Sequence, residues 1–373
     1  MAKKITALVF LLLFSSLAAG GRTKLNWVQE FDDNEDGICK LMVETQGYTC
    51  EEHKVTTKDG YILSMQRIPT GRAGGGERNE AKTPVVLQHG IMSDASTWLS
   101  NSPHESLGFI LADNGYDVWL ANVRGTNYSR GHISLSPDDA VWTYTKRSNG
   151  RDFAYDLPAS LQYVYDQTGQ KLHYVGHSLG TLMAFGAFSR QEVLNIVRSA
   201  ALLSPIAYLG QMPSPLARAA ADAFIAETLY WLGLNEFAPG GGPFSKLVDD
   251  ICNKQVINCS DIMSIFTVIR HGTIEMYDYG SEDANNEHYG QSTPPGYNMT
   301  SIPDDLPLFL AYGGKDLISD VNDVQTLINT LVDHDPDKLV ELYREDYAHL
   351  DFVNGVNANQ VVYNPLMAFF KLN

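Results

Sequence analysis

The strongest chemical signal in the chain is five consecutive residues, Gly176-His177-Ser178-Leu179-Gly180. A serine between glycines at that spacing becomes a nucleophile where an apolar strand runs in and a helix runs out, because the sharp turn lifts its hydroxyl above a sheet. Residues 171–175 read as that strand and residues 179–190 as that helix. Bulky side chains two positions either side of Ser178 would collide in such a turn, and Gly176 and Gly180 remove the clash. Without this context the pattern would be a glycine-lined turn with no chemistry.

A serine hydroxyl attacks poorly until a base takes its proton, and the base needs an acid to orient it. In this strand–turn–helix setting the chain order is Ser, then Asp or Glu, then His. Ten histidines are present, and His288, His334 and His349 are the ones weighed as the base. His349, in Asp346-Tyr347-Ala348-His349-Leu350, comes just after the final strand, where a loop brings it over the sheet edge. His334 sits in the polar run Asp333-His334-Asp335-Pro336 and reads as part of a solvated turn, while His288 lies in a polar stretch. For the acid, Asp316 stands directly beyond the carboxyl end of a strand, where functional groups gather in open α/β sheets. Asp320 is better placed to cap the following helix, and Asp351 lies too close after His349, so a structural role is expected of it.

Acyl transfer also needs donors for a tetrahedral oxyanion. The backbone N–H after the nucleophile, that of Leu179, is one candidate, and Ile91 in Gln88-His89-Gly90-Ile91-Met92 supplies the other. Losing one such donor costs about 3–4 kcal/mol of transition-state stabilisation. The His89 side chain is expected to support this loop. The glycine runs of the chain carry no Walker lysine, which excludes a phosphate loop.

The elements that must hold these groups alternate. Residues 54–57 and 61–68 flank the turn Lys58-Asp59-Gly60 as a hairpin. Strands are expected at 84–87, 117–121, 171–175, 199–203, 308–312 and 339–343. Helices are expected at 106–114, 153–167, 179–190, 320–331 and near Asn364. Short apolar strands alternating with helices imply an α/β fold, a mostly parallel sheet with helices on both faces. The alternation lapses over residues 206–302, which read as a mainly helical cap inserted into one core of residues 21–205 and 303–373.

At 373 residues, 44% hydrophobic and 19% charged, the chain is of globular composition. Lys3 and Lys4, an apolar run over 5–17 and small residues after it give residues 1–20 the layout of a secretory signal peptide. No later stretch reaches the roughly 18 apolar residues of a spanning helix. Removing residues 1–20 moves the formal net charge of −17 to −19, because two lysines go and no acid does. So acidic a surface argues against nucleic acid and against electrostatic docking on anionic membranes. Four cysteines behind a signal peptide suggest two disulfides, with three pairings open. Cys39 with Cys50 and Cys252 with Cys259 are favoured, each pair being close in sequence and in a loop-like, polar setting. Their spacings do not suit a structural zinc site, and no metal or cofactor is expected.

Six ordered segments make the chain resemble the acid lipase family of α/β hydrolases, which includes gastric and lysosomal acid lipases, and its plant branch most. They are GYTCEEHKVTTKDGYILSMQRIP, VVLQHGIMSDASTW, LADNGYDVWLANVRGTNYSRGH, GHSLG, YGGKDLISD and DYAHLDF, and the resemblance they mark extends over nearly all of the chain after residue 40. The resemblance implies the triad Ser178, Asp316 and His349, oxyanion donors Ile91 and Leu179, neutral-lipid ester substrates met at a lipid–water interface, and a lid-bearing cap. Cys252 and Cys259 look like the family's cap disulfide; Cys39 and Cys50 resemble the plant branch only. The animal members carry Gln where Leu179 stands, which leaves the backbone donor intact. Asn258 and Asn298 read as glycan acceptors, and Asn127, in a sequon inside a family motif, reads as structural.

A secreted lipase on triacylglycerol-type esters is therefore expected, in an extracellular or vacuole- or lysosome-like compartment. A sterol esterase or general carboxylesterase is the nearest rival, and a non-catalytic ligand receptor on the same scaffold the rival of another class.

Overall fold

A computed structural model of the chain describes residues 37–72, 81–91, 93–135, 151–211, 272–276, 279 and 281–373. The expected segment 1–20 lies outside them, as do Cys252, Cys259, Asn258 and the interior of the expected cap, 212–271.

Nine strands form one sheet among the described residues. They are β1 (Glu51–Thr56), β2 (Tyr61–Ile68), β3 (Pro84–Gln88), β4 (Asp117–Ala121), β5 (Gly131–His132), β6 (Leu172–His177), β7 (Val197–Leu203), β8 (Leu308–Gly313) and β9 (Leu339–Arg344). The order is β1-β2-β4-β3-β6-β7-β8-β9, with β5 paired to β2. From β4 to β9 every pairing is parallel, whereas β1, β2 and β5 make an antiparallel margin. Each expected strand is present within a few residues. β5 carries no pattern readable over its two residues.

Central strands β3, β4, β6 and β8 are buried along their whole length, as near-continuous apolar runs require when both faces are covered. Alternate side chains go to opposite layers. Val86 and Tyr174 pack with Leu157, Leu161, Phe185 and Phe188 of helices α2 (Arg151–Thr168) and α3 (Leu179–Ser189). Val85, Leu87 and Val175 pack with Phe109 and Leu111 of α1 (Leu107–Asp113) and with the carboxyl-terminal Leu366 and Phe370. The edge strand β9 is half-exposed.

The buried Arg124 charge is paired. The Arg124 guanidinium, just beyond β4, meets Asp59 at 2.7 Å and Asp156 of α2 at 2.9 Å, and lies over the Tyr61 ring. One cation thus ties the hairpin turn, the end of β4 and α2 together.

Strands β7 and β8 are neighbours in the sheet, Ala200 opposite Leu308 through Leu203 opposite Ala311, although residues 204–307 separate them. The outgoing and returning stretches of this excursion lie side by side: Tyr208 bridges Thr273, and Leu209 N–H donates to the Gly272 carbonyl at 3.3 Å. Asp323, on helix α5 (Val321–Thr330), fixes the outgoing stretch by accepting the Gln211 N–H on both carboxylate oxygens at 3.0 Å. Within the returning part, Glu282–Tyr289 forms helix α4.

Cys39 and Cys50 form the expected disulfide across 11 residues. Cys39 is buried in a short helical turn rather than in the polar loop expected of it. In the chain-entropy account, closing so short a loop contributes about 2–3 kcal/mol. Urea unfolding of a Cys39→Ser, Cys50→Ser variant should show that loss; an unchanged unfolding free energy would mean that the bridge holds nothing the turn does not already hold.

Candidate active site

The polypeptide reverses at Ser178 between β6 and α3 with φ 54° and ψ −113°. A non-glycine residue there is strained by about 1–3 kcal/mol, and such strain persists where the surroundings over-determine it. The flanking glycines show how. A Cβ at Gly176 would lie 2.7 Å from the Gly180 carbonyl group, inside the turn as expected. A Cβ at Gly180 would instead lie 2.5 Å from the Gln88 carbonyl oxygen of β3, so that glycine admits the neighbouring strand. Leu179 is the first residue of α3, where backbone N–H groups have no partner inside the helix.

His349 stands in the loop between β9 and helix α6 (Asp351–Asn354). Its Nε2 lies 2.8 Å from Ser178 Oγ, and its Nδ1 lies 2.8 Å from Asp316 Oδ2 and 3.0 Å from Oδ1. Nδ1 faces a carboxylate and so carries the proton, leaving Nε2 to accept from the serine hydroxyl. All three residues are buried. Asp316 is set by the turn after β8, where its Oδ1 also accepts the Ile318 and Ser319 N–H groups, each at 2.9 Å. Burial pushes its pKa up, but the adjacent His349, through charge and hydrogen bond, and these two N–H groups outweigh that and hold it below the ordinary carboxylate value. The strand ends can approach because Gly313 has no side chain: a Cβ there would overlap the Tyr347 carbonyl oxygen.

The rival residues separate cleanly. Asp320 caps α5 by accepting the Asn322 N–H at 2.8 Å, as expected. Asp351 accepts the Ala348 N–H at 2.7 Å and braces the His349 loop. His288 lies on α4, stacked on Tyr279. His334 departs from expectation: it is buried, its Nε2 donating to the Leu306 carbonyl at 2.8 Å, because its turn packs against the segment leading into β8. A polar neighbourhood in sequence does not reveal such a cover.

On the other side of Ser178 lies the loop after β3. His89 Nε2 accepts the Val123 N–H at 3.2 Å, so its Nδ1 carries the proton and donates to the Gly90 carbonyl at 2.7 Å. In a trans peptide C=O and N–H point opposite ways. Fixing the Gly90 carbonyl therefore also fixes the direction of the Ile91 N–H. This is the loop-supporting part expected of His89. Gly90 itself packs on Ser178, a Cβ at Gly90 lying 3.1 Å from the serine Cβ.

Two expectations about sequons can be set against the structure. Asn298 is exposed, its side-chain oxygen accepting from the Thr300 N–H at 3.1 Å and Oγ at 2.8 Å. Asn127, read as structural, is exposed. The buried member of its sequon is Ser129, which accepts the Ser64 N–H at 2.9 Å and donates to the Asn122 carbonyl at 3.2 Å. Sequence reasoning missed His177 and Ser204, both of which touch the His349 backbone. The only signal for His177 was its place beside Ser178; for Ser204 there was none.

A largely parallel sheet bearing a serine, a histidine and an aspartate in relay at its carboxyl edge is the architecture of an α/β-class serine hydrolase. Comparison with known proteins narrows this. Residues 39–102 match the family described as a partial alpha/beta-hydrolase lipase region, and residues 83–241 match the alpha/beta hydrolase fold. Triacylglycerol lipase 2 of Arabidopsis thaliana is 43% identical over 90% of this chain and 88% of its own. Human gastric triacylglycerol lipase is 34% identical over 88% of this chain and 90% of its own. An esterase of Pyrococcus furiosus superposes with a TM-score of 0.52 at 18% identity, covering 95% of this chain and 96% of its own, a likeness of fold alone. The chain belongs to the lipase family of α/β hydrolases that includes the plant and gastric enzymes, and it is a carboxylic ester hydrolase.

Proposed function

We propose that this protein hydrolyses the ester bonds of neutral glycerides through an acyl-enzyme on Ser178, with His349 as general base and acid and Asp316 as its orienting partner. The observation that carries the reading is the unbroken relay of 2.8 Å contacts from Ser178 Oγ through the His349 ring to Asp316. His349 Nε2 takes the hydroxyl proton as Oγ attacks the ester carbonyl and then gives it to the departing alkoxide. Water repeats the cycle on the acyl-enzyme. The Ile91 and Leu179 N–H groups serve as oxyanion donors: one opens a helix beside the nucleophile, and the other lies on the loop held by His89. The chemistry calls for no metal or cofactor.

The triacylglycerol part of this reading is supported by the plant and gastric relatives, whose names state that substrate. Residues 206–302 form the cap, an assignment supported by the neighbouring positions of β7 and β8 and by the paired stems at Tyr208 and Thr273. Residues 1–20 act as a signal peptide, and the mature chain follows the secretory pathway to an extracellular or vacuole-like compartment. The Cys39–Cys50 bridge fits that oxidising route. Among the described residues no helix is long and apolar enough to cross a membrane. Asn258 and Asn298 carry glycans.

The test compares kcat/KM on acetyl and longer acyl glycerides, with and without an emulsified interface. Each buried acyl methylene contributes about 0.8 kcal/mol, so long chains in emulsion should exceed the acetyl ester by orders of magnitude. Equal turnover of the soluble acetyl ester would reduce the protein to a general carboxylesterase, and preference for cholesteryl over glyceryl esters would make it a sterol esterase.

A further inference from the structure

Contacts at both ring nitrogens orient the His349 imidazole, but its distance from Ser178 also depends on where the His349 backbone stands. That backbone is gripped. The His349 carbonyl accepts from His177 Nε2 at 2.9 Å and from Ser204 Oγ at 3.2 Å. A carbonyl can only accept, so His177 carries its proton on Nε2. Its other ring nitrogen faces the loop after β3: a Cβ built at Gly90 would lie 3.0 Å from His177 Nδ1. The ring therefore spans the site behind the nucleophile, with the base loop at one end and the oxyanion loop at the other.

Ser204 has its own signature. Its φ of 51° is unusual for a residue with a side chain, and its N–H is fixed to the Ala311 carbonyl within β8 at 2.8 Å. Strain of this kind persists only where the surroundings over-determine it, and here the strained turn aims the hydroxyl at the His349 carbonyl. Both donors are buried, so water does not compete for the carbonyl. Burial, reinforced by the adjacent His349, pushes the His177 pKa down to about 3, leaving it a neutral donor over the ordinary pH range.

We propose that His177 is a positioning residue for the reaction, its ring setting the height of the His349 base over Ser178 and bracing the Gly90–Ile91 loop, with Ser204 as the second grip on the base. This rests on the triad reading above. Displacing the base by about 1 Å costs up to about 100-fold in rate.

The experiment uses the full chain and three variants, His177→Phe, His177→Gln and Ser204→Ala. Each is measured for the rate of covalent labelling by a fluorophosphonate, for kcat and KM on a soluble medium-chain ester, and for thermal midpoint. The low-field proton resonance of the His349–Asp316 hydrogen bond is followed alongside. His177→Phe keeps a ring but no donor and should lower labelling and kcat about 10- to 100-fold. KM should stay near the wild-type value, and the low-field resonance should shift or broaden. His177→Gln, which restores an N–H donor, should recover most of the loss.

Wild-type labelling by a folded His177→Phe, or equal losses in Phe and Gln, would overturn the proposal. Should His177→Phe fail to fold, Ser204→Ala decides: a several-fold loss of labelling at an unchanged midpoint upholds the grip, and an unchanged rate removes it. An unlabelled wild-type protein overturns the triad itself and this proposal with it, whereas a labelled wild type with indifferent variants overturns this proposal alone.

Discussion

Ser178→Ala and His349→Ala should each leave a folded protein with almost no esterase activity, kcat falling by about five to six powers of ten. The 2.8 Å contact between Ser178 Oγ and His349 Nε2 makes the two a unit: without the base the hydroxyl keeps its proton, and without the hydroxyl there is nothing to acylate. The double variant should therefore be no worse than either single one. Ser178→Ala takes no partner from a buried charge, so its thermal midpoint should change little, and it relieves none of the backbone strain at φ 54° because its Cβ remains. His349→Ala takes the ring partner from the buried Asp316 carboxylate and should lower the midpoint while the fold persists. Hydrolysis of a chromogenic medium-chain ester, on protein freed of co-purifying esterases, checks the result. Turnover near the wild-type level in either variant removes the assignment of the nucleophile or the base.

Asp316→Asn should lower kcat by roughly four powers of ten, the cost when the orienting acid of such a triad becomes an amide. The amide can turn its NH₂ toward His349 Nδ1 and favour the tautomer with its proton on Nε2, which cannot accept from Ser178. Asp320→Asn is the control, since Asn caps a helix as well as Asp does and activity should survive. A larger loss in Asp320→Asn would mean the wrong carboxylate has been chosen. A pH series adds an independent reading. The Asp316 carboxyl is held below its ordinary value, so the stability it contributes is fully present above the unfolded pKa of about 4 and is lost as pH falls through the folded one. The stability gap between wild type and Asp316→Asn should therefore narrow on acidification.

Much of this site was legible in sequence because its parts sit at predictable points of regular elements. A serine between strand and helix, an aspartate just past β8 and a histidine just past β9 are each defined by an adjoining apolar run, and period and chain order suffice to find the three that the fold brings together. The Cys39–Cys50 pair was legible from its short separation alone, since Cys39 sits in a buried helical turn and not in a polar loop. What failed was environment. His334 looked solvated because its sequence neighbours are polar, yet it is buried against the Leu306 carbonyl. Asn127 looked structural because it lies in a family motif, yet the buried member is Ser129.

By itself, then, the sequence determined the class of chemistry, the three residues of the relay and the alternation that places them at the carboxyl edge of one sheet. Those depend on residue type, spacing and order, which are properties of the chain as a line. Tertiary structure decided which backbone groups hold the relay in register. The His349 carbonyl is met by His177 from 172 residues away and by Ser204 from 145, and Gly180 is required by Gln88 on a neighbouring strand. These contacts join residues with no periodic or local relation, through backbone atoms that every residue possesses, so no pattern of side-chain types announces them before the strands are laid side by side.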